Sequence, residues 1–346
     1  MPDPLDEIRQ EAASTELQAA LDRALRALDK AKASKEELVD AVYRAASDAA
    51  STLVIPPVSE PPRDRRRTPR AEVAVAVLSD WQLGKKTPTY TSAECEKRVA
   101  LYADKIARLT EIQRADHPVR DVHVWLLGDL IEGELIFPGQ AHRIDASLYR
   151  QVAVDGPRIL GDFLRRMLAS FPGRVHVTAV IGNHGAIGGR ERREMHPETN
   201  GDMMLYRIVE QIVNHPRLTW NIADPTGERG WYAVDEIGKH RTLLFHGDQI
   251  RGGFAGFPWY GLGKKVGGWG TSGPLANAFD DVAFGHFHTP MRVNLNRITA
   301  RCNGSTESDN TYALEQLAAS GRPSQLLMFV DPDHGRVTAE YVVYLD

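Results

Sequence analysis

Five short polar stretches follow one another along the chain: Ser79-Asp80-Trp81-Gln82, Gly128-Asp129-Leu130-Ile131-Glu132, Gly182-Asn183-His184, His246-Gly247-Asp248 and Gly285-His286-Phe287-His288. Their side chains are carboxylates, amides and imidazoles, the donors that hard and borderline divalent cations accept in mixed nitrogen–oxygen sites. None of these stretches contains Cys, which excludes a cysteine-built structural zinc knot. Taken singly, each has a bland reading: an Asp after a strand, a turn Asn, a satisfied core His, a Gly-His-x-His turn. Brought together on one edge of a sheet, they could hold two metal ions.

That convergence requires strands to end at the polar stretches, and most of the preceding residues are apolar or β-branched. Residues 73–78, 122–127, 175–181, 242–245 and 281–284 read as strands, each running into one of the five motifs. Helical patterns over 94–113, 146–170 and 201–214 alternate with them. Up to Gly182 this is the alternation of α/β units, which bind ligands beyond the carboxyl ends of their strands. After residue 290 shorter strands near 291–300, 325–330 and 337–345 surround a helix at 311–319. They predict a second, mostly antiparallel sheet and a sandwich of two sheets with helices outside.

The N-terminal part differs. Leu17, Leu21, Leu25 and Leu28 recur at three- and four-residue steps, and Ser34 with Glu37 forms a capping box. Residues 1–54 are therefore expected to form a helical hairpin or a broken long helix, either packed on the main domain or serving as a homo-oligomer contact. Residues 55–70, rich in Pro and Arg, read as a linker. Residues 71–346 form the main domain.

At 346 residues, 42% hydrophobic and 25% charged, the composition is that of a globular protein. A net charge of −4 gives no overall attraction to nucleic acid, so any basic surface must be local. Cys95 and Cys302 are too few for a disulfide framework, and no apolar run reaches the ~20 residues that span a bilayer. The expectation is a cytoplasmic protein (host cytoplasm if phage-encoded) without a membrane partner.

The ordered motifs resemble the calcineurin-like metallophosphoesterase superfamily, whose pattern is D-x-H, G-D-x-x-D, G-N-H-[ED], H and G-H-x-H. The resemblance covers roughly residues 73–305 and implies a four-layer αββα sandwich, here with an N-terminal helical extension. It implies that Asp80, Gln82, Asp129 and His288 hold one metal, and that Asp129, Asn183, His246 and His286 hold the second. Asp129 would bridge the pair, and a hydroxide between the ions would attack phosphorus. His184 would stabilise the transition state or protonate the leaving group, and Glu132 would orient it. The implied ions are divalent, Mn²⁺ before Fe, Zn²⁺, Mg²⁺ or Ni²⁺.

Three positions depart from the family pattern. Gln82 stands where His is usual, offering a neutral amide oxygen or no ligand, which favours Mn²⁺ over Zn²⁺. Glu132 is one methylene longer than the usual Asp. Gly185 replaces an acidic residue and leaves the backbone there freer. The Arg-Gly that follows in protein Ser/Thr phosphatases is absent after Glu132, which disfavours a protein substrate.

Within the superfamily the chain looks most similar to the phage and bacterial Mre11/SbcD-like DNA nucleases. The shared features are Gly182-Asn183-His184-Gly185, Asn200-x-Asp202-x₃-Tyr206 and a glycine-rich loop after His246-Gly247-Asp248. That loop would carry Arg251, and further on Lys264 and Lys265 interleave with Trp259, Tyr260 and Trp269 in a glycine-rich stretch. Such a stretch could stack bases and pair phosphates, or be a surface loop with core aromatics. Arg190, Arg192 and Arg193 form a second basic cluster, which is either a solvated charge run or a phosphate contact. The leading function is a DNA nuclease acting on nucleic acid. The alternatives are a small-nucleotide or cyclic-nucleotide phosphodiesterase or phosphatase, and a binding protein that kept the fold.

Overall fold

The computed structural model describes residues 44, 71–187, 196, 198–224, 230–251, 257–309 and 321–346. The expected hairpin over 1–54 (Arg44 apart), the linker over 55–70, the arginines 190, 192 and 193 and the helix at 311–319 lie outside these residues.

Among the described residues, eleven strands form two sheets. The first contains β1 (Glu72–Leu78), β2 (Val119–Leu126), β3 (Val175–Ala179), β4 (Leu218–Ile222), β10 (Ser324–Asp331) and β11 (Arg336–Tyr344), in the order β11-β10-β1-β2-β3-β4. β1 through β4 run parallel, while β10 and β11 pair antiparallel beside β1. The second sheet contains β5 (Tyr232–Ile237), β6 (His240–Phe245), β7 (Asp281–Phe284), β8 (Met291–Leu295) and β9 (Ile298–Cys302), in the order β5-β6-β7-β9-β8.

The sheets face each other across a shared apolar core. Val75, Val77, Trp125, Leu127 and Val180 from the first sheet side meet Ala233, Ile237, Leu244 and Ala283 from the second. Central strands are buried on both faces, which is why β1 reads as the nearly unbroken apolar run EVAVAVL. The helices α1 (Ser92–Gln113), α2 (Gly156–Ser170) and α3 (Gly201–Ile212) accompany the first sheet. Tyr102 of α1, for example, is bonded to the backbone of Val77 and Leu326. A fourth helix, α4 (Trp259–Thr271), buries Leu262 and Val266 against Phe245, Val282 and Phe284 on the outer face of the second sheet. Helix, sheet, sheet and helix are the four expected layers. Among the described residues, no helix is long and apolar enough to cross a membrane.

The structure differs from expectation at four points. The C-terminal strands do not make a sheet of their own, because β10 and β11 extend the first and β8 and β9 complete the second. The second sheet is also partly parallel, through β6-β7 and β7-β9. β4 and β5 were absent from the sequence reading: β4 is a half-exposed edge strand, and β5 carries Asp235 and Glu236 in mid-strand, so neither has an apolar run. Finally, residues 259–271 are a helix rather than a loop, despite their glycines, because Leu262, Val266 and Trp269 pack on the sheet.

Candidate metal centre

Each motif begins where its strand's ladder stops, and the backbone there turns sharply. Asp80, Gln82, Asp129, His286 and His288 all have positive φ, between 50° and 70°. Left-handed backbone is uncommon for residues with side chains and persists only where the surroundings enforce it. Here the enforcing contacts include a close approach of two glycines. A Cβ on Gly128 would lie 2.4 Å from the Gly182 nitrogen, and one on Gly182 would lie 2.1 Å from Asp129 Oδ1. The loops after β2 and β3 therefore touch backbone to backbone, and only glycine fits.

Asp202, at the start of α3, grips the same two loops from beneath. Its carboxylate accepts the backbone N–H groups of Asp129 at 2.8 Å, Gly182 at 2.9 Å, Leu130 at 3.0 Å and Ile131 at 3.3 Å. Asn200 caps α3 through the N–H groups of Asp202 and Met203 and donates to the Gly182 carbonyl. Tyr206 donates to the Val180 carbonyl at 3.1 Å. The Asn200-x-Asp202-x₃-Tyr206 pattern is thus the fixture that holds the loops of Asp129 and Asn183. Gly185 also belongs to it: a Cβ there would come within 2.4 Å of Asn200 Oδ1, so the position is tightly packed rather than free.

The seven expected ligands come together. His246 Nε2 lies 3.0 Å from Asp129 Oδ2, 3.1 Å from Asn183 Oδ1 and 3.2 Å from His286 Nδ1. On the other side, His288 Nε2 is 3.3 Å from Asp80 Oδ1, and Gln82 Nε2 is 3.4 Å from His288 Nε2 and 3.5 Å from Asp129 Oδ2. Asp80, Gln82, Asp129 and His246 are buried, whereas Asn183, His184, His286 and His288 are half-buried. The centre therefore opens on the side of the latter four.

The charges are balanced tightly. Burial pushes the Asp129 carboxyl up, but His246 and His184 beside it hold it well below the usual carboxylate range. Burial opposes the charge on His246, yet Asp129 and Asp80 push it up to about 10. His286 goes the other way, down to about 4, through burial and the neighbouring charge of His246. Asp202, buried and close to Asp129, is pushed up to about 6 against the N–H groups it accepts.

These residues fit divalent cations on an observation of their own: Gln82 Oε1 is fully buried and has no hydrogen-bond partner. An orphaned buried acceptor costs stability unless something positive meets it, and the Nε2 of the same amide lies beside Asp129 and His288. The outer contacts match as well. His246 Nδ1 lies 2.8 Å from the Leu127 carbonyl, which leaves Nε2 facing the cluster. Asp80 Oδ2 accepts from Ser79 Oγ at 2.5 Å, and Ser79 is in turn held by Asn303 and Gln325.

His184 and Glu132 are also paired. His184 Nδ1 is 3.3 Å from Glu132 Oε2 and 3.0 Å from the Glu132 carbonyl oxygen. The extra methylene of Glu132 does not turn it away, because Gln140 donates to its Oε1 at 3.0 Å. Despite burial, Asp129 and Glu132 push His184 up to about 9.

Two residues were not found by sequence reasoning. Glu307 is buried, with Oε2 3.7 Å from His288 Nδ1 and 2.8 Å from Lys85 Nζ. Lys85 follows Gln82 by three positions, which was the only available signal; Glu307 follows no strand-end motif at all. Of the expected substrate residues, Arg251 is exposed, and Lys264 and Lys265 are exposed on α4.

No protein-family model and no curated protein matches this chain. Solved structures do. The chain is similar to an archaeal phosphodiesterase at 11% identity, covering 78% of this chain and 99% of that one, with a TM-score of 0.36. It is similar to a predicted phosphoesterase from Streptococcus pneumoniae TIGR4 at 12% identity, covering 79% and 98%, with a TM-score of 0.30. A Vps29 from Entamoeba histolytica complexed with Zn²⁺ matches at 14% identity, covering 79% and 99%, with a TM-score of 0.33.

Proposed function

We propose that the chain is a two-metal phosphoester hydrolase of the calcineurin-like type, acting on the phosphodiesters of DNA. The observation that carries this reading is the position of the Asp129 carboxylate, within 3.0 Å of His246 Nε2 and 3.5 Å of Gln82 Nε2. In this reading it belongs to both donor sets at once. Asp80, Gln82, Asp129 and His288 would hold one ion, and Asp129, Asn183, His246 and His286 the other. Such a pair, when bound, supplies positive charge against phosphoryl oxygens and lowers the pKa of water. Mn²⁺ suits the first set, because Gln82 offers an amide oxygen and no imidazole.

The chain's own residues supply the proton. With Nδ1 turned to Glu132, His184 keeps Nε2 for the substrate, and its raised pKa keeps the imidazole protonated at neutral pH. Its task is to donate that proton to the leaving oxygen. Glu132 and Gln140 fix the ring.

The DNA reading is supported by a run of aromatic rings beside His286. The centroid distances are 5.0 Å from His286 to Phe287, 4.7 Å from Phe287 to Phe257 and 4.7 Å from Phe257 to Trp259. Trp259 and Tyr260 are exposed, with Lys264 and Lys265 following on the same helix. Exposed rings beside basic side chains suit stacked bases and their phosphates. The test is hydrolysis of bis(p-nitrophenyl) phosphate, single- and double-stranded DNA and cyclic nucleotides with Mn²⁺. DNA cleavage is expected. Turnover of cyclic nucleotides alone would move the assignment to a small-nucleotide phosphodiesterase, and full metal loading with no turnover would leave a binding protein.

A further inference from the structure

A second cluster of metal-binding side chains lies between the sheets, away from the strand ends that carry the centre. His123 on β2 and His176 on β3 are register partners, and Asp235 reaches them from β5 of the opposite sheet. His123 precedes the end of β2 by three residues, about 10 Å at ~3.3 Å per residue. Asp235 pairs with Thr242, in the first half of β6, and so also lies toward the far end.

The three ligand atoms lie within 4.8 Å of one another. Asp235 is almost fully buried, while the side chains of His123 and His176 keep 13% and 22% of their exposure, which leaves an entry route from solvent. Asp235 Oδ2 accepts from Trp125 Nε1 at 2.8 Å, and Oδ1 accepts from Thr178 Oγ1 at 2.6 Å. His176 Nδ1 lies 2.8 Å from Thr219 Oγ1, which orients the ring with Nε2 toward Asp235. Partners of this kind behind each ligand are typical of metal sites.

The spacing of His176 from Asp235 suits two donors around a cation, while His123 is hydrogen-bonded to the same carboxylate. His176 Nε2 stands 3.5 Å from Asp235 Oδ1, too long for a hydrogen bond to a carboxylate. It matches the separation of about 3.4 Å between two donors on a tetrahedral ion with bonds near 2.1 Å. His123 Nδ1, 2.6 Å from Asp235 Oδ2, would exchange its proton for the metal.

We propose that His123, His176 and Asp235 form a third, mononuclear site for a borderline divalent cation such as Zn²⁺, with water in the fourth position. The site stitches the two sheets together at the end remote from the hydrolytic centre.

The test measures zinc, not turnover. Full-length protein saturated with Zn²⁺ and passed through gel filtration should carry one ion per chain more than His176→Asn, whatever the hydrolytic centre itself retains. A zinc-edge anomalous map of wild-type crystals should show a peak between His123, His176 and Asp235. Equal stoichiometry in the two proteins overturns the proposal. So does a map without that peak, which decides the matter if His176→Asn fails to fold. A peak seen only at millimolar zinc, with no third ion retained in solution, overturns it as well.

Discussion

The carboxylate of Asp202 accepts the backbone N–H of Asp129 at 2.8 Å, so one buried acid sets the backbone of another that sits at the centre of the site. The same carboxylate holds Gly182, Leu130 and Ile131. The geometry of the candidate ligands is therefore fixed one layer beneath them, at the start of α3. Removing Asp202 would orphan those buried N–H groups, each costing roughly 1–3 kcal/mol. Asp202→Ala is expected to lose at least about 3 kcal/mol of stability and to load metal poorly, with Asp202→Asn intermediate. Urea unfolding with a parallel metal count measures both; a wild-type midpoint for Asp202→Ala would show that the bonds carry little.

Asp129→Ala should remove both ions of the centre together. In the proposed assignment its carboxylate is shared by the two donor sets, so neither would be complete without it. Metal analysis of the variant after gel filtration checks this. Retention of one tightly held ion at the centre would mean that Asp129 is not a bridge.

His184→Ala should keep both ions and slow phosphodiester turnover by on the order of 10²- to 10⁴-fold. Glu132→Gln should cost less and shift the alkaline limb of the pH–rate profile downward, because it removes charge that raises the His184 pKa. Should His184→Ala lose the metals instead, the histidine is a ligand and the assigned role falls.

Gln82→His should tighten the first ion and shift preference toward Zn²⁺, since an imidazole replaces an amide oxygen. Competition titrations with Mn²⁺ and Zn²⁺ read this directly. Unchanged affinities would place Gln82 outside the coordination sphere and leave its unpartnered oxygen without a cation to explain it.

The metal-free protein should lose stability in alkali. His184 and His246 are raised to about 9 and about 10 in the folded chain, against about 6.5 when unfolded. The folded state thus holds these protons more tightly. Their stabilisation is complete below pH 6.5 and fades as pH rises through 9 to 10, by up to about 1.4 kcal/mol per pH unit for each proton. Metal loading follows the opposite sign, since the ligand proton must leave, and affinity should rise over that window. Urea midpoints in EDTA at pH 7 and pH 10 give the first comparison. A midpoint that does not fall would contradict the proton assignment.

The candidate donors and the strands that deliver them were legible in the order of residues alone. Asp80, Asp129, Asn183, His246 and His286 each follow an apolar run, and that pattern is local, because strands buried on both faces must be apolar along their length. The pairing of Glu132 with His184 was also legible, through the motifs that contain them. Tertiary structure alone decided the rest. Glu307 reaches His288, and Asp235 reaches His123 and His176, across separations in sequence that no local pattern encodes. The glycine-rich segment at 259–271 became a helix because apolar packing against the second sheet outweighed its weak propensity. β4 and β5 escaped notice because an edge strand and a strand carrying a buried charge lack the apolar run that marks a strand in sequence. Polar side chains acquire their partners only when separate strands are brought together. The donors could be read from one dimension, but the groups that hold them in place required three.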